Sequence, residues 1–451
     1  MDITDMNIKK FIEDDVIKYS LENCIRAIPK IEDGLKPSQR KILYTCLSKN
    51  VTTCVNLEQY AGIISDYTNY HHGGVSLCGA IKKMCSNFIG TNNINLLNGE
   101  GNFGTRESNG ENAAAARYLH FKLNNITRYI FKKEDDCILV HNIDNNRQIE
   151  PITYYPIIPM CLVNGTSGIG SGYSTNILNY NPNDLIIYLK NKLNDTNNIQ
   201  LIPWYKNFKG KIKQQNKTII NGVFNIKDHK SVSFIKPNKN DTVIEISELP
   251  IGISTNKYVT SILNPLIKNE IIIKKFDYSD EDEIKIILNM GNRFNDTILK
   301  LQKNITETYV LYHDNQFKSY KNIYEIIDDY YDIRLQKYTE RISKNIEIIQ
   351  IDLKLLYNKQ KFINKVLNDK NFFFNNTKKE IIKLLENDNY YNNNGDYAYL
   401  YNMPAIKLTI DEIESLQKQI NKLEYDLNTL KKKTNIQLWL EELNELQHIL
   451  K

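Results

Sequence analysis

Two stretches near the C-terminal end of the chain constrain its architecture more than any other feature. Tyr338, Ile342, Ile346, Ile349, Leu353 and Leu356 are spaced by fours and threes, and Ile413, Leu416, Ile420, Leu423, Leu427 and Leu430 by threes and fours. That spacing lays one apolar stripe along each of two helices. A stripe left facing water is costly, so the pattern predicts an antiparallel coiled-coil pair. The segment between them holds a short helical pattern, "TKKEIIKLLEN", and a low-complexity tract, "NDNYYNNNGDY", so the pair is expected to carry a small folded tip. The competing arrangement, one long helix broken by a disordered linker, leaves both seams bare. A closing helix, "NIQLWLEELNELQHIL", is expected to return alongside.

Upstream, composition divides the chain into a zone to about residue 150, a second at about 151–320 and a third at 321–451. The first opens with "NIKKFIEDDVIKYSLENCI", in which Ile8, Ile12, Val16 and Tyr19 recur about once per turn, and continues with "GLKPSQRKILYTCL", a helix started by Pro37. The second is strand-rich: "TVIEISELP" alternates as a half-buried strand does, and its turns are marked by Asn, Gly and Pro. The expected class is therefore α+β.

The chain has 451 residues, enough for two or three domains with real cores, and a formal net charge of only +5, so any basic surface must be local. Seven cysteines, all at or before Cys161, include no CxxC pair. Zinc spacing and a disulfide framework are both disfavoured, and the cysteines are expected to be buried thiols in a reducing compartment. "MDITDMNIKKF" lacks the apolar core of a signal peptide, and no apolar run is long enough to cross a bilayer.

The stretch "AAAARYLHF" sets Tyr118 directly after Arg117. A free phenol has a pKa of about 10, so a nucleophilic tyrosine needs help, and a guanidinium offers a permanent cation with a flat fork of donors suited to phosphate oxygens. Taken alone, a packed tyrosine is the better reading. Other motifs change that weight. "YHHGG" sets His71 and His72 before two glycines. "LLNGEGNFGTR" is a Gly-rich loop ending in Arg106. "IRAIPKIEDGLKPSQRK" gathers Arg26, Lys36, Arg40 and Lys41 around a turn and a helix start, where phosphate is attracted. "NGTSGIGSGYST" presents Ile169 between glycines, as either a tucked core residue or a wedge for a base step. Lysines 206, 209, 211, 213 and 217 crowd one hairpin, which taken alone reads as a solvated surface.

The order IRAIP–DGLKPSQRK, YHHG, NGEGNFGTR, AAAARY, YYPIIPMCLVNGTSGIGSGY closely resembles the breakage–reunion part of type IIA DNA topoisomerases. The likeness continues through "WYKNFKGKI", "IEISELP", "DDYYDIRLQKY" and "NMPAIKLT", and so spans nearly the whole chain. "YKNFKG" and "IEISELP" look like the eukaryotic and large-virus branch, while "GEGNFG" and "SGIGSGY" are closer to the split medium subunit of T-even-like phages; the bacterial gyrase A type fits less well. The resemblance implies a winged-helix (CAP-like) domain, an α/β tower domain and a long antiparallel coiled coil with a small helical dimerisation tip. It implies Tyr118 as the nucleophile that becomes joined to a 5′ phosphate and Arg117 as the stabiliser of charge on phosphorus. Arg26, Lys36, Arg40, Lys41, His71, His72 and Arg106 become DNA contacts, and Ile169 a wedge between base pairs. One departure is Gly74, where eukaryotic members usually carry Glu.

No acidic cluster of the kind that holds Mg²⁺ in this family is present in the sequence, nor any ATP-site motif. The resemblance therefore implies a homodimer on double-stranded DNA. Its Mg²⁺ and ATP would be bound by a partner subunit carrying TOPRIM and ATPase modules, in an intracellular, DNA-associated enzyme. A starting Met just before the first family helix favours a natural split subunit. The competing function is a non-catalytic DNA-binding and bending dimer.

Overall fold

The computed structural model describes residues 7–214, 217–227, 241–281, 283–290, 295–369, 372, 376–393 and 395–451. They fall into two compact units. One runs to Lys133, resumes over Leu139–Arg334 and includes Leu440–Lys451; the other holds Glu134–Ile138 and Leu335–Trp439.

In the first unit, helices Pro37–Ser48, Leu57–Tyr67 and Gly74–Cys85 pack together beside a three-stranded antiparallel sheet, the winged-helix arrangement. Each helix begins as its sequence dictates. Pro37 occupies the first turn, and the Gln39 side chain accepts from the Lys36 amide at 2.9 Å. Asn56 caps the second helix by accepting from the Gln59 amide at 3.2 Å. The buried faces carry Ile42, Leu43, Cys46, Leu57, Ile64, Leu77 and Ile81. Strand His120–Leu123 lies at the centre of the sheet, between Val55–Asn56 and Leu97–Glu100, with Phe121 opposite both Val55 and Gly99.

The strand-rich zone forms a four-stranded antiparallel sheet in the order Val223–Lys227, Thr242–Glu248, Ile286–Met290, Ile272–Asp277. Ile244, Ile246, Ile286, Leu288 and Met290 face a core closed by Tyr258 and Leu263. Val243 and Ile287 are also buried, against Phe276, so the strand read as half-buried is covered on both faces.

In the second unit, helix Leu335–Asn368 (the continuation of Ile323–Asn368) runs antiparallel to helix Ile410–Lys432. Gln360 donates to Gln417 at 2.9 Å, and the Tyr357 hydroxyl meets Glu424. Tyr338, Leu353, Leu416 and Ile420 are buried along the predicted seams. The expected short helix forms at Lys378–Asn387, opened by a reciprocal Thr377–Glu380 cap. The low-complexity tract is not merely a linker. Tyr390 and Tyr397 enter the core of the tip with Phe362, Ile381, Leu385 and Leu400.

The fold also refines several expectations drawn from the N-terminal stripe, the closing helix and the cysteines. The stripe at Ile8, Ile12, Val16 and Tyr19 does lie on helical backbone, but all four side chains are exposed; only Cys24, further along, is buried. The closing helix Asn435–Ile449 does return along the long helix at its start, where Asn435 Nδ2 donates to Thr339 Oγ1 at 3.0 Å and the Trp439 ring lies 5.5 Å from that of Tyr338. Beyond Trp439 it belongs to the first unit, where Leu443 and Leu446 are buried, Lys132 bonds Glu445 and Lys190 bonds Gln447. Finally, all seven cysteines are free, but only Cys24, Cys46, Cys85 and Cys161 are buried; Cys54 is exposed because its loop leads onto the edge strand Val55–Asn56. No described helix is long and apolar enough to cross a membrane.

Candidate functional site

Tyr118 ends a single 3₁₀ turn, Ala116–Tyr118, that leads into the central strand of the small sheet. The next residue, Leu119, is fully buried, and its carbonyl accepts from the Leu57 amide at 2.9 Å. On the other side, Asn56 Nδ2 donates to the Arg117 carbonyl at 2.9 Å, while the same side chain caps the helix that follows. The turn is thus pinned to the start of helix Leu57–Tyr67. Its two functional side chains face outward: Tyr118 is 66% exposed, and Arg117 is exposed with its guanidinium carbon 4.9 Å from the phenol ring centre. Packed tyrosines occur elsewhere in the unit: Tyr60 is 6% and Tyr180 0% exposed. Tyr118 is therefore a phenol that an external electrophile can reach, with a donor fork beside it for anionic oxygens.

Arg26 and His71 are exposed around a hollow of about 470 Å³ that Lys41, Tyr70, His72 and Asp144 also line. His71 Nε2 lies 2.9 Å from Asp144 Oδ2, and this bond holds the Asp144 carboxyl below the usual carboxylate value. Burial, then the nearby Arg26 guanidinium, lowers the His72 pKa; its ring meets Tyr70 edge to face at 5.3 Å. Gly74 opens the helix Gly74–Cys85, and a β-carbon there would meet nothing within 4 Å.

Three cations expected to touch DNA are committed inside the protein. Arg40 is 5% exposed: Nε donates to Asp33 Oδ2 at 2.6 Å, and Nη2 to Asp33 Oδ1 at 3.0 Å and to the Leu35 carbonyl at 2.9 Å. Arg106 is 1% exposed. It reaches the Leu249 carbonyl at 2.7 Å, the Ile89 carbonyl at 3.1 Å and Glu248 Oε1 at 3.3 Å. Lys41 bonds the Thr68 carbonyl at 2.6 Å and Glu150 Oε2 at 2.9 Å from a mostly buried position. A buried cation is tolerated only when paired; the Arg106–Glu248 and Lys41–Glu150 pairs join segments far apart in the chain, while Arg40 closes on Asp33 seven residues before it. Lys36 is half-buried and donates to the Ser167 carbonyl at 2.7 Å.

Beside Lys36 opens a cleft of about 870 Å³ whose wall includes Lys82 and Lys83. Neither lysine belongs to a motif named above; their sequence signal is the "IKKMC" ending of helix Gly74–Cys85. Lys82 is spent on the Ala114 carbonyl, while Lys83 is exposed and close enough to Lys36 to help burial lower that ammonium's pKa. Asn56 was also missed, although a polar residue just before "LEQYAGII" is an N-cap signature. Ile169 stands 84% exposed at the end of strand Thr166–Ile169, paired with Ser174–Ile177. It is not a tucked core residue.

A winged helix with an exposed tyrosine–arginine pair, a strand-rich sheet and an antiparallel coil agree with the class that the sequence resembles, the type IIA DNA topoisomerases. The family model for the A subunits of DNA gyrase and topoisomerase IV matches residues 26–444, and the chain belongs to that family. DNA topoisomerase 2-alpha of Cricetulus griseus is 33% identical over 98% of the chain, which covers 31% of that relative; DNA topoisomerase 2 of Plasmodium falciparum is 32% identical over 98% of the chain and 34% of the relative. The chain thus spans about a third of the length of these relatives. The crystal structure of the DNA-binding, cleavage and re-ligation domain of Plasmodium falciparum topoisomerase II superposes with a TM-score of 0.88 at 32% identity, over 98% of this chain and 64% of that one.

Proposed function

We propose that this chain is the DNA cleavage and rejoining part of an ATP-dependent type IIA topoisomerase, with Tyr118 as its nucleophile. The phenolic oxygen bonds to a backbone phosphorus as the bond from phosphorus to the 3′ oxygen breaks. The phenolic proton ends on the released 3′ oxygen, and the 5′ end stays on the tyrosine. Reversal restores the phosphodiester with no external energy, because the phosphotyrosine keeps the energy of the broken bond. Arg117 stabilises negative charge on the crowded phosphorus. Arg26, His71 and His72 meet the duplex, and Ile169 enters a base step and bends it. Two copies set two tyrosines on opposite strands, a second duplex passes the break, and the coil with its tip forms the exit gate. In this reading the winged helix extends to about residue 150, the tower over about 151–320 and the coil and gate over 321–451.

Among the described residues, the one trio of metal-ligating side chains within ligand reach of one another is Glu32, His313 and Asp314, at a hairpin rather than on the Ala116–Tyr118 turn. The Ala116–Tyr118 turn does not fit a metal cage. In this reading a partner chain would hold the Mg²⁺ and the ATP; the metal would supply charge stabilisation at the scissile phosphate.

The observation that carries the reading is the exposed Tyr118 hydroxyl beside Arg117 in a chain of this family. Its test is a cleavage assay with a TOPRIM- and ATPase-bearing partner and Mg²⁺, read on a denaturing gel for protein-linked 5′ ends. Adducts from the wild type and none from Tyr118→Phe support it; adducts that persist in Tyr118→Phe refute it. Duplex bending without adducts from any variant is the outcome for the second reading, a non-catalytic DNA-bending dimer, which the exposed Ile169 favours.

A further inference from the structure

Ile169 stands 84% exposed on a segment whose backbone is held from both sides. On one side, a β-carbon at Gly168 would lie 2.0 Å from the Ala27 carbonyl oxygen, so the strand backbone rests directly on the end of helix Ile17–Ala27. On the other, a β-carbon at Gly170 would lie 2.8 Å from Cys24 Sγ and 2.9 Å from Cys24 Cα, one turn earlier on that helix. The Cys24 thiol donates to the Ser171 carbonyl at 3.2 Å. The remaining contact is Lys36 Nζ, which donates to the Ser167 carbonyl at 2.7 Å. Lys36 is itself well mounted, since its amide donates to Gln39 Oε1 at 2.9 Å at the start of helix Pro37–Ser48. Residues 167, 168, 170 and 171 are therefore each tied to a neighbouring helix or its cap, which leaves an apolar side chain projecting at a fixed height.

An ammonium that meets a phosphate and one that props a carbonyl have different signatures. A phosphate contact releases counterions and gives no shape to the protein. A prop fixes the backbone and adds little to the salt dependence of binding. Lys36 has the second environment: half-buried, bonded to a backbone oxygen, with burial pulling its pKa down. We propose that Lys36 is a positioning residue that, with the Gly168–Ala27 and Gly170–Cys24 contacts, sets the height of Ile169 as a DNA wedge and does not itself neutralise a phosphate. This rests on the reading above that Ile169 enters a base step.

The test uses the full chain and a short duplex with a donor and an acceptor dye at its two ends, so that energy transfer reports the bend. A titration series in salt gives the slope of log Kd. Lys36→Met keeps the stem and removes the charge. Its bend signal is expected to fall at least about threefold, toward that of Ile169→Ala, with a salt slope like the wild type. Gly168→Ala, whose new methyl collides with the Ala27 carbonyl, is expected to lose the bend with Lys36 intact. This second variant tests the seat independently of charge. If Lys36→Met bends DNA like the wild type and its slope drops by about 0.9, the value for one lost phosphate contact, Lys36 is a phosphate ligand and the proposal fails. If Ile169→Ala itself bends DNA normally, the wedge reading fails, and the role of Lys36 with it. Loss of the bend in Ile169→Ala with its retention in Lys36→Met overturns only the role of Lys36.

Discussion

Arg117 and Arg40 are the same residue type in the same unit, yet they have opposite fates. Arg40 is enclosed, with its fork closed on both oxygens of Asp33, and Asp33 is further held by the amides of Leu35 and Tyr154. Arg117 lies on an exposed turn, and only its carbonyl is tied down, by Asn56. The difference separates two jobs that a basic sequence motif cannot separate: one guanidinium builds the platform, and the other is left for an external anion. Burial and partner decide which is which.

The comparison can be broken in several ways. The largest expected effect is at the reacting group: Tyr118→Phe abolishes covalent DNA ends on the denaturing gel, while duplex affinity in a filter or anisotropy assay changes by less than about twofold. Next, Arg40→Ala leaves the Asp33 carboxylate buried without its cation and should cost about 3–5 kcal/mol of stability in urea unfolding. Arg117→Ala should leave stability within about 0.5 kcal/mol, because an exposed guanidinium resting on the exposed ring of Tyr118 contributes little. Its cleavage rate should nevertheless fall by about 10²-fold, the usual cost of removing one charge-stabilising donor. Equal stability losses in the two arginine variants would erase the distinction.

The smallest effect is electrostatic. The Asp144 carboxyl, held below its ordinary value first by the bond from His71, should titrate in an NMR experiment below the free carboxylate midpoint. His71→Ala should return it upward. The sign follows from linkage: a depressed carboxyl stabilises the fold above its unfolded pKa and loses that contribution as pH falls through the folded value. The contact should thus survive mild acid and disappear only below the ordinary carboxylate range.

How much of this could be read in advance depended on whether the deciding partner was near in sequence or far. The heptad seams were legible because their spacing needs no partner to be recognised, and Tyr338, Leu353, Leu416 and Ile420 lie buried where the pattern set them. The Arg117–Tyr118 pair was legible as a candidate, but its exposure was not: that depends on Leu57 and Asn56 holding the turn. Arg106 was misread because Glu248 and Leu249 lie over 140 residues away. Arg40 was misread for another reason. Asp33 is close by in the chain, but a cluster of basic residues drew attention away from the acid that neutralises one of them. The Asn-rich tract hid Tyr390 and Tyr397 because composition averages over the few side chains that pack.

The membership of Leu440–Lys451 in the first unit bears on biosynthesis. A ribosome releases this stretch only after every residue of the second unit has already emerged. The larger body therefore stays unfinished until then, with the places of Leu443 and Leu446 unfilled. A chain cut short just before Leu440 would lack Leu443 and Leu446, two buried apolar side chains of the first unit.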